Sequence, residues 1–149
     1  MIHIKKATLA DIPQLARLFD AYRVFYHKNS DIEGAESFLR ERLEAGESEI
    51  FVAEQKEVLL GFVQLYPIFS STQMKRLWLL NDLFVSPEHR KKRISIALIE
   101  RAKELCQETA ACGLLLETAK SNHVGNQLYP KTGFVVDNDH HYYYWEKVD

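Results

Sequence analysis

The chain has 149 residues, which is the usual length of one domain, so we predict a single domain over residues 1–149. Its 46% hydrophobic and 27% charged residues, with only 6 Gly and 4 Pro, exclude disordered and collagen-like classes. The net charge of −2 disfavours a nucleic-acid partner, because proteins that bind duplexes are normally basic overall.

Cysteine and histidine usage gives no sign of a disulfide framework or a metal site. Cys106 and Cys112 fall in or beside an apolar helical pattern and are expected to be reduced thiols, and no His/Cys spacing matches zinc. No apolar core of a signal peptide and no apolar run of membrane-spanning length occurs. We therefore expect a cytoplasmic protein with no metal and no membrane partner.

Hydrophobic periodicity predicts two helices and then a set of strands in the first half of the chain. A short strand over 2–4 precedes two helices, over about 9–22 and 34–45. Thr8 is the predicted N-cap of the first helix. Residues 23–33 show no clean period. The remaining segments are strands over 50–53, 58–66 and 75–85, and a loop over 67–72. The almost continuous apolar run in 75–85 is typical of a central strand covered on both faces.

The second half of the chain returns to alternating helices and strands. The pattern predicts a helix over about 91–109, a strand over 114–118, a helix over 122–131, and strands over 134–136 and 140–147. The order β-α-α-β-β-β-α-β-α-β-β indicates an α/β protein with a mixed sheet. In the last strand, Tyr142 to Trp145 alternate, so one face should be core and the other an acceptor site or a dimer contact.

Four consecutive cations, Arg90 to Arg93, lie where the central strand passes into the next helix. Helix N-termini favour anions, so cations there oppose the helix dipole unless a phosphate is bound. A solvated basic stretch or a nucleic-acid patch would also explain the run. From these residues alone, phosphate binding stays one of the alternatives.

A second motif, Asn122-x-x-Gly125-x-x-Leu128-Tyr129-x-x-x-Gly133-Phe134, follows the strand that ends in Glu117-Thr118. Here the sequence resembles the GNAT acetyltransferase family, and its bacterial members most closely. The resemblance covers nearly the whole chain. It implies a GNAT-like mixed, mostly antiparallel central sheet flanked by helices. It also implies transfer of an acetyl group from acetyl-CoA, as the donor substrate, to an amine.

The resemblance also implies which residues bind the cofactor. The strand residues Leu83, Phe84 and Val85 stand where family members pair their main chain with the pantetheine arm. Arg90 stands at the Q/R position of the family's cofactor motif. The amides of Lys91, Lys92, Arg93, Ile94 and Ser95 stand at the pyrophosphate cradle, and Asn122 stands where the cofactor arm is contacted.

Three residues are candidates for proton transfer. By the resemblance, Tyr129 stands at the general acid near the sulfur and Glu117 at a general base; Tyr129 could instead be a core tyrosine. Two carboxylates lie where apolar residues are expected. Glu117 lies on an apolar strand, and Asp82 interrupts the central apolar run beside Asn81. Either carboxylate could be a base. Glu117 could instead make a structural hydrogen bond to nearby backbone, and Asp82 could instead mark a bulge or a buried salt bridge.

Both glycine positions of the cofactor motif are filled, by Arg93 and Ser95. Arg93 could clash, could strain the backbone, or could swing outward and pair with a phosphate, and we favour the last. The same departure supports an alternative function, a catalytically weak CoA-binding sensor or interaction module with the same fold.

The acceptor is predicted to be an amine of a small molecule or a peptide. Aromatic residues in the segment after the first long helix, Tyr22, Phe25 and Tyr26, could hold an amine by cation–π contacts, with Asn81 nearby, or could simply be a packed loop. A homodimer is possible, although no decisive surface patch is visible.

Overall fold

A computed structural model describes residues 1–149. The protein is built on one five-stranded sheet. The strands, in spatial order, are β1 (His3–Lys6), β2 (Glu49–Gln55), β3 (Val58–Ser70), β4 (Lys75–Val85) and β5 (Leu114–Leu115). The pairings β1–β2, β2–β3 and β3–β4 are antiparallel, and β5 is parallel to β4. The predicted α/β fold with a mixed, mostly antiparallel sheet is therefore confirmed.

Four helices accompany the sheet: α1 (Ile12–Phe25), α2 (Ile32–Glu44), α3 (Ile94–Glu108) and α4 (His123–Lys131). A 3-10 turn precedes α1, and there the Asp11 carboxylate accepts the Thr8 N–H at 2.9 Å, which fixes the entry of the chain. At α2 the Asp31 carboxylate caps the first turn by accepting the Gly34 N–H at 2.9 Å. No helix is long and apolar enough to cross a membrane.

By its internal contacts the chain divides into two compact units, Met1–Glu117 and Thr118–Asp149. In the first unit, α1 and α2 pack on one face of the sheet around a core that includes Leu15, Leu39 and Phe62. Helix α3 covers the other face, where the Arg101 guanidinium lies 4.2 Å from the ring centre of Phe51. The sheet is thus covered on both sides, as the apolar run in β4 predicted.

The second unit contains α4 and a C-terminal segment without regular secondary structure. The predicted strands over 134–136 and 140–147 are therefore wrong. Alternation shows which side chains would share a face, but a strand also needs a neighbouring backbone to pair its N–H and C=O groups. The four residues from Tyr142 to Trp145 are all exposed, by 66–92%, so none of them forms a core face.

Two further strand boundaries differ from the prediction. Residues 67–70, predicted as a loop, extend β3, because they pair with residues 75–78 of β4. In contrast, β5 covers only two of the five residues predicted over 114–118, since only Trp78 and Leu79 pair with it. Cys106 and Cys112 are free thiols, as expected, and no cluster of potential metal ligands is present.

Candidate active site

A β-bulge interrupts the pairing of the two central strands. Gln64 pairs with Asp82 and Leu65 pairs with Leu80, which leaves Asn81 as an extra residue on β4. A bulge of this kind bends a strand and redirects its side chains, and it is frequent beside active sites. Here it leaves Asn81 exposed while Asp82 is only 5% exposed.

Neutral amides hold the buried Asp82 carboxylate. Gln64 Nε2 donates to Asp82 Oδ2 at 2.8 Å, and Asn81 Nδ2 lies 3.1 Å from both carboxylate oxygens. Gln64 is fully buried, and its own Oε1 has no hydrogen-bond partner. A buried polar group without a partner is costly, so this cluster is a site that packing alone does not explain.

The predicted acceptor-side aromatics converge beside the bulge. The Tyr22 hydroxyl lies 3.5 Å from the Asn81 carbonyl oxygen, at the outer limit of a hydrogen bond. Its ring packs edge-on against Tyr26 at 5.1 Å and against Phe84 at 6.0 Å, and Tyr26 in turn packs against Phe25 at 5.3 Å. Phe25 and Tyr26 remain about half exposed, so their rings are open to a ligand.

Arg90 connects this aromatic cluster to the end of β4. Its Nε donates to the Val85 carbonyl oxygen at 3.0 Å, and its guanidinium lies 5.4 Å from the Phe84 ring centre and 5.8 Å from that of Phe25. Phe84 and Val85 are buried and Leu83 is half-buried. The side chain of Arg90 is therefore held at the end of β4.

The turn before α3 has the left-handed backbone conformation that glycine normally supplies. Lys91 has φ = 65° and Arg93, the N-cap residue, has φ = 61°. No side chain caps α3, so the first N–H groups of the helix, from Ile94 and Ser95 onward, have no intrahelical partner. The side chains of Lys91, Lys92 and Arg93 are exposed. Arg93 thus has a left-handed backbone and an exposed side chain, and its pairing with a phosphate stays a prediction.

Glu117 does not occupy the buried strand position predicted for it. It lies beyond the end of β5 and is exposed. Because β5 ends two residues earlier, at Leu115, neither strand pairing nor a core surrounds this carboxylate. Of the two predicted bases, only Asp82 is desolvated.

In the second unit, Asn122 starts α4 with both ends of its amide occupied. Asn122 Oδ1 accepts the Gly125 N–H at 3.1 Å, and Nδ2 donates to Thr118 Oγ1 at 2.9 Å. A Cβ at Gly125 would lie only 2.5 Å from Asn122 Nδ2 and 3.2 Å from Tyr129 Cε2, which explains the glycine in the motif. The Tyr129 ring packs edge-on against Phe134 at 5.7 Å.

Two residues of the site were missed in the sequence, Gln64 and Tyr66, both on the same face of β3. Burial, together with the nearby Asp82 charge, raises the pKa of Tyr66 to about 12. The sequence did carry a signal for these two residues, because both are polar within the apolar run of residues 58–66. Asp82 is polar within the apolar run of β4 in the same way. Tyrosine and glutamine are common enough in strands for this signal to be weak.

Together, the fold and this site define a class of protein: an α/β protein with an uncapped, basic helix N-terminus following a bulged strand that carries a buried carboxylate. Residues 15–134 match the family described as the acetyltransferase (GNAT) family. The chain belongs to this family, and the resemblance predicted from its motifs is confirmed.

Individual relatives agree with this assignment. The chain is 43% identical over 136 residues to an uncharacterized N-acetyltransferase, YhfO, of Bacillus subtilis, and the match covers 91% of each chain. The crystal structure of a probable acetyltransferase superimposes with a TM-score of 0.93 at 39% identity over 99% of both chains. An aminoglycoside N-acetyltransferase solved in complex with CoA shares the fold, with a TM-score of 0.83 at 15% identity over 99% of this chain and 96% of that one.

Proposed function

We propose that the protein is an N-acetyltransferase that moves an acetyl group from acetyl-CoA directly to a primary amine of a small molecule or a peptide. Acetyl-CoA is the donor used by the GNAT family. The observation that carries the proposal is the turn before α3. Its backbone already has left-handed residues at Lys91 and Arg93, so the filled glycine positions do not prevent the turn from forming. Its free N–H groups and exposed cations suit a pyrophosphate.

Different segments of the chain would bind different parts of acetyl-CoA. Amides from Lys91 to Ser95 would hold the pyrophosphate, and the main chain of Leu83 to Val85 would align the pantetheine arm. The resemblance assigns Asn122 and Tyr129 to the same ligand. Because the amide of Asn122 is already used in capping α4, its contribution would come from the position that it gives to the start of that helix.

Proton transfer is the chemistry that the side chains would supply. The acceptor nitrogen forms a bond to the acetyl carbon as the carbon–sulfur bond breaks, so the nitrogen must lose a proton and the sulfur must gain one. Asp82 is the favoured base, because it is buried and fixed by two amides; exposed Glu117 is the other candidate. Tyr129 would protonate the sulfur, and the N–H of Phe84 or Val85 would polarise the carbonyl.

The acceptor would bind beside the bulge. Tyr22, Phe25 and Tyr26 present aromatic faces and edges there, and Asn81 provides an exposed polar side chain. Aromatic rings near a carboxylate suit an ammonium group, which then loses its proton on reaction. The predicted homodimer and cytoplasmic location stay predictions.

A coupled assay of the purified protein tests this function. Thiol release from acetyl-CoA is measured with a panel of primary amines, for the natural protein and Tyr129→Phe. We expect amine-dependent release, with kcat reduced in Tyr129→Phe by at least about tenfold and with acetyl-CoA affinity unchanged. Unchanged kcat would remove Tyr129 from the acid role.

A CoA-binding sensor or interaction module is the second candidate, favoured by Arg93 and Ser95 at the motif's glycine positions. It requires acetyl-CoA binding without thiol release for every amine tested. Amine-dependent release at a rate typical of enzymes, about 1 per second or more, would exclude it.

A further inference from the structure

Gln64 is a buried glutamine that uses only one end of its side-chain amide. Its Nε2 donates to Asp82 Oδ2 at 2.8 Å, whereas Oε1 has no hydrogen-bond partner although the side chain is fully buried. A buried amide oxygen without a partner lowers the stability of a fold, and such groups are rare in native proteins. The unpartnered oxygen is therefore a feature that the packing of the two strands does not require.

A second glutamine of the same unit shows how a structural amide is satisfied. Gln14 on α1 donates from Nε2 to the Glu57 carbonyl oxygen at 2.9 Å and accepts the Leu59 N–H with Oε1 at 3.0 Å. Both ends of that amide thus join α1 to the start of β3. Gln64 lies between β3 and β4, which their backbone ladder already holds together, and it directs one end at a carboxylate.

Both side chains that hold Asp82 do so with N–H groups, from Gln64 Nε2 and Asn81 Nδ2, which suits the ionised carboxylate. Once Asp82 takes a proton, one of its oxygens becomes an O–H donor that needs an acceptor. Asn81 is exposed and can exchange its partners with water. Gln64 is buried, but half a turn of its amide would put Oε1 in the place of Nε2, because the two groups are nearly equal in size.

The position of the Asp82 carboxylate depends on neutral groups, since every hydrogen bond that it accepts comes from an amide. The titratable group nearby on β3 is Tyr66, whose pKa the Asp82 charge helps to raise to about 12 and the Arg42 charge lowers slightly. The phenol of Tyr66 therefore stays protonated while a carboxylate titrates. From α1, the Tyr22 hydroxyl lies 3.5 Å from the Asn81 carbonyl oxygen.

We propose that Gln64 is the positioning residue of Asp82 and holds this carboxylate in both of its protonation states. Nε2 donates to the ionised form, which takes a proton from the acceptor amine. The electron pair of the broken N–H bond stays on the nitrogen, which bonds to the acetyl carbon. The Gln64 amide then turns, and Oε1 accepts the carboxyl O–H until the proton leaves to solvent. This inference rests on the proposed function, in which Asp82 is the base.

The pH profile of kcat/KM tests the positioning role. Gln64→Met keeps the length of the side chain and removes both ends of the amide. We expect kcat to fall about tenfold and the acidic limb of the profile to move about one unit to higher pH, because the ionised carboxylate loses a donor. The affinity for acetyl-CoA should be unchanged. An acidic limb that stays in place would overturn the proposal, since a role in packing lowers stability without moving it.

Gln14→Met is the matched control, because it makes the same chemical change at a glutamine whose partners are backbone groups. It should lower thermal stability through the loss of two hydrogen bonds, while kcat and the acidic limb stay as in the natural protein. If the limb moves equally in the two variants, the shift comes from a general loosening of the fold, and the positioning role of Gln64 is rejected.

Nuclear magnetic resonance of the natural protein follows Gln64 without any acceptor amine. The Gln64 and Asn81 N–H groups donate to the same oxygen of Asp82, so their protons should show a nuclear Overhauser contact, and the Gln64 proton should be shifted downfield. The carboxyl carbon of Asp82 reports its protonation in the same samples. We expect the contact and the downfield shift to disappear as this carbon titrates.

These spectra separate the inference from the proposed function. Loss of the contact, with no turnover of any amine, would support the positioning by Gln64 and reject the function. Turnover with a contact that persists after Asp82 has taken its proton would support the function and reject the inference. A carboxyl carbon that does not titrate in the folded protein would also reject the inference, because Asp82 would then have only one form to be held.

Discussion

At the scale of single residues, Arg93 shows the clearest conflict between the backbone conformation that a residue prefers and the conformation that the fold requires. A non-glycine residue with φ = 61° costs about 1 kcal/mol, and a cation at a helix N-terminus opposes the helix dipole. A natural sequence keeps such a residue where it gains something else. A phosphate contact would be that gain.

We therefore expect Arg93→Gly to raise the free energy of unfolding by about 1 kcal/mol, since it relieves both the left-handed backbone and the misplaced charge. Denaturant titration measures the change. The control is Lys92→Gly, which removes the neighbouring charge at a residue outside the left-handed region and should be neutral or destabilising. Equal stabilisation by the two variants would show that backbone strain at Arg93 is absent.

Tyr66 gives the site a titration that ordinary tyrosines lack. Its pKa is about 12 instead of 10.0, chiefly because burial disfavours the charged phenolate. The folded state therefore holds this proton more tightly than the unfolded state. The stabilisation is complete below pH 10 and is lost as the pH rises through 12.

Absorbance at a wavelength specific for tyrosinate should show a late ionisation phase in the folded protein. We expect Tyr66→Phe to reduce the amplitude of this phase and the loss of stability between pH 10 and 12. Tyr143→Phe, which removes the hydroxyl of a 92% exposed tyrosine, should leave the late phase in place. A late phase of unchanged amplitude in Tyr66→Phe would contradict the burial of this phenol.

At the scale of elements, the first turn of α4 shows how a motif residue can serve structure. Asn122 caps the helix and also bonds to Thr118, so its side chain fixes where the helix begins. The sequence motif predicted a contact with the cofactor at this residue. If Asn122 serves as a cap, a substitution should change the stability of the protein. If Asn122 contacts the cofactor, a substitution should change the affinity for acetyl-CoA.

Asn122→Ala should lower the free energy of unfolding by about 1 kcal/mol, because the Gly125 N–H loses its acceptor. Asn122→Ser, which preserves an N-cap oxygen, should recover most of that stability. Thermal unfolding of both variants measures this, and acetyl-CoA titration of the serine variant tests the second role. Full stability in Asn122→Ala would show that the cap contributes nothing.

The sequence predicted the helices better than the ends of the strands. Helical periodicity and caps are local, so α1 to α4 were placed to within a few residues. A strand depends on a partner elsewhere in the chain, so the pairing of residues 67–70 and the lack of pairing over 134–149 were not visible in the pattern. The bulge at Asn81 was indicated only by the polarity of Asn81 and Asp82 within an apolar run.

At the scale of the whole molecule, the site residues come from distant parts of the chain. Asp82, Gln64 and Tyr22 meet because β3 and β4 pair and α1 packs on their face. The sequence identified Asp82 and Tyr22 separately, one by its misplaced charge and one by its aromatic segment. It could not show that a glutamine and a second tyrosine join them, since those contacts follow from strand register.

Acetyl-CoA binding is the central claim, and a calorimetric titration of the purified protein beside Arg93→Gly tests it most directly. We predict a dissociation constant of about 1–100 µM for the natural protein. We also predict several-fold weaker binding for Arg93→Gly, although that variant is the more stable of the two. The absence of binding heat in the natural protein at millimolar acetyl-CoA would contradict the account.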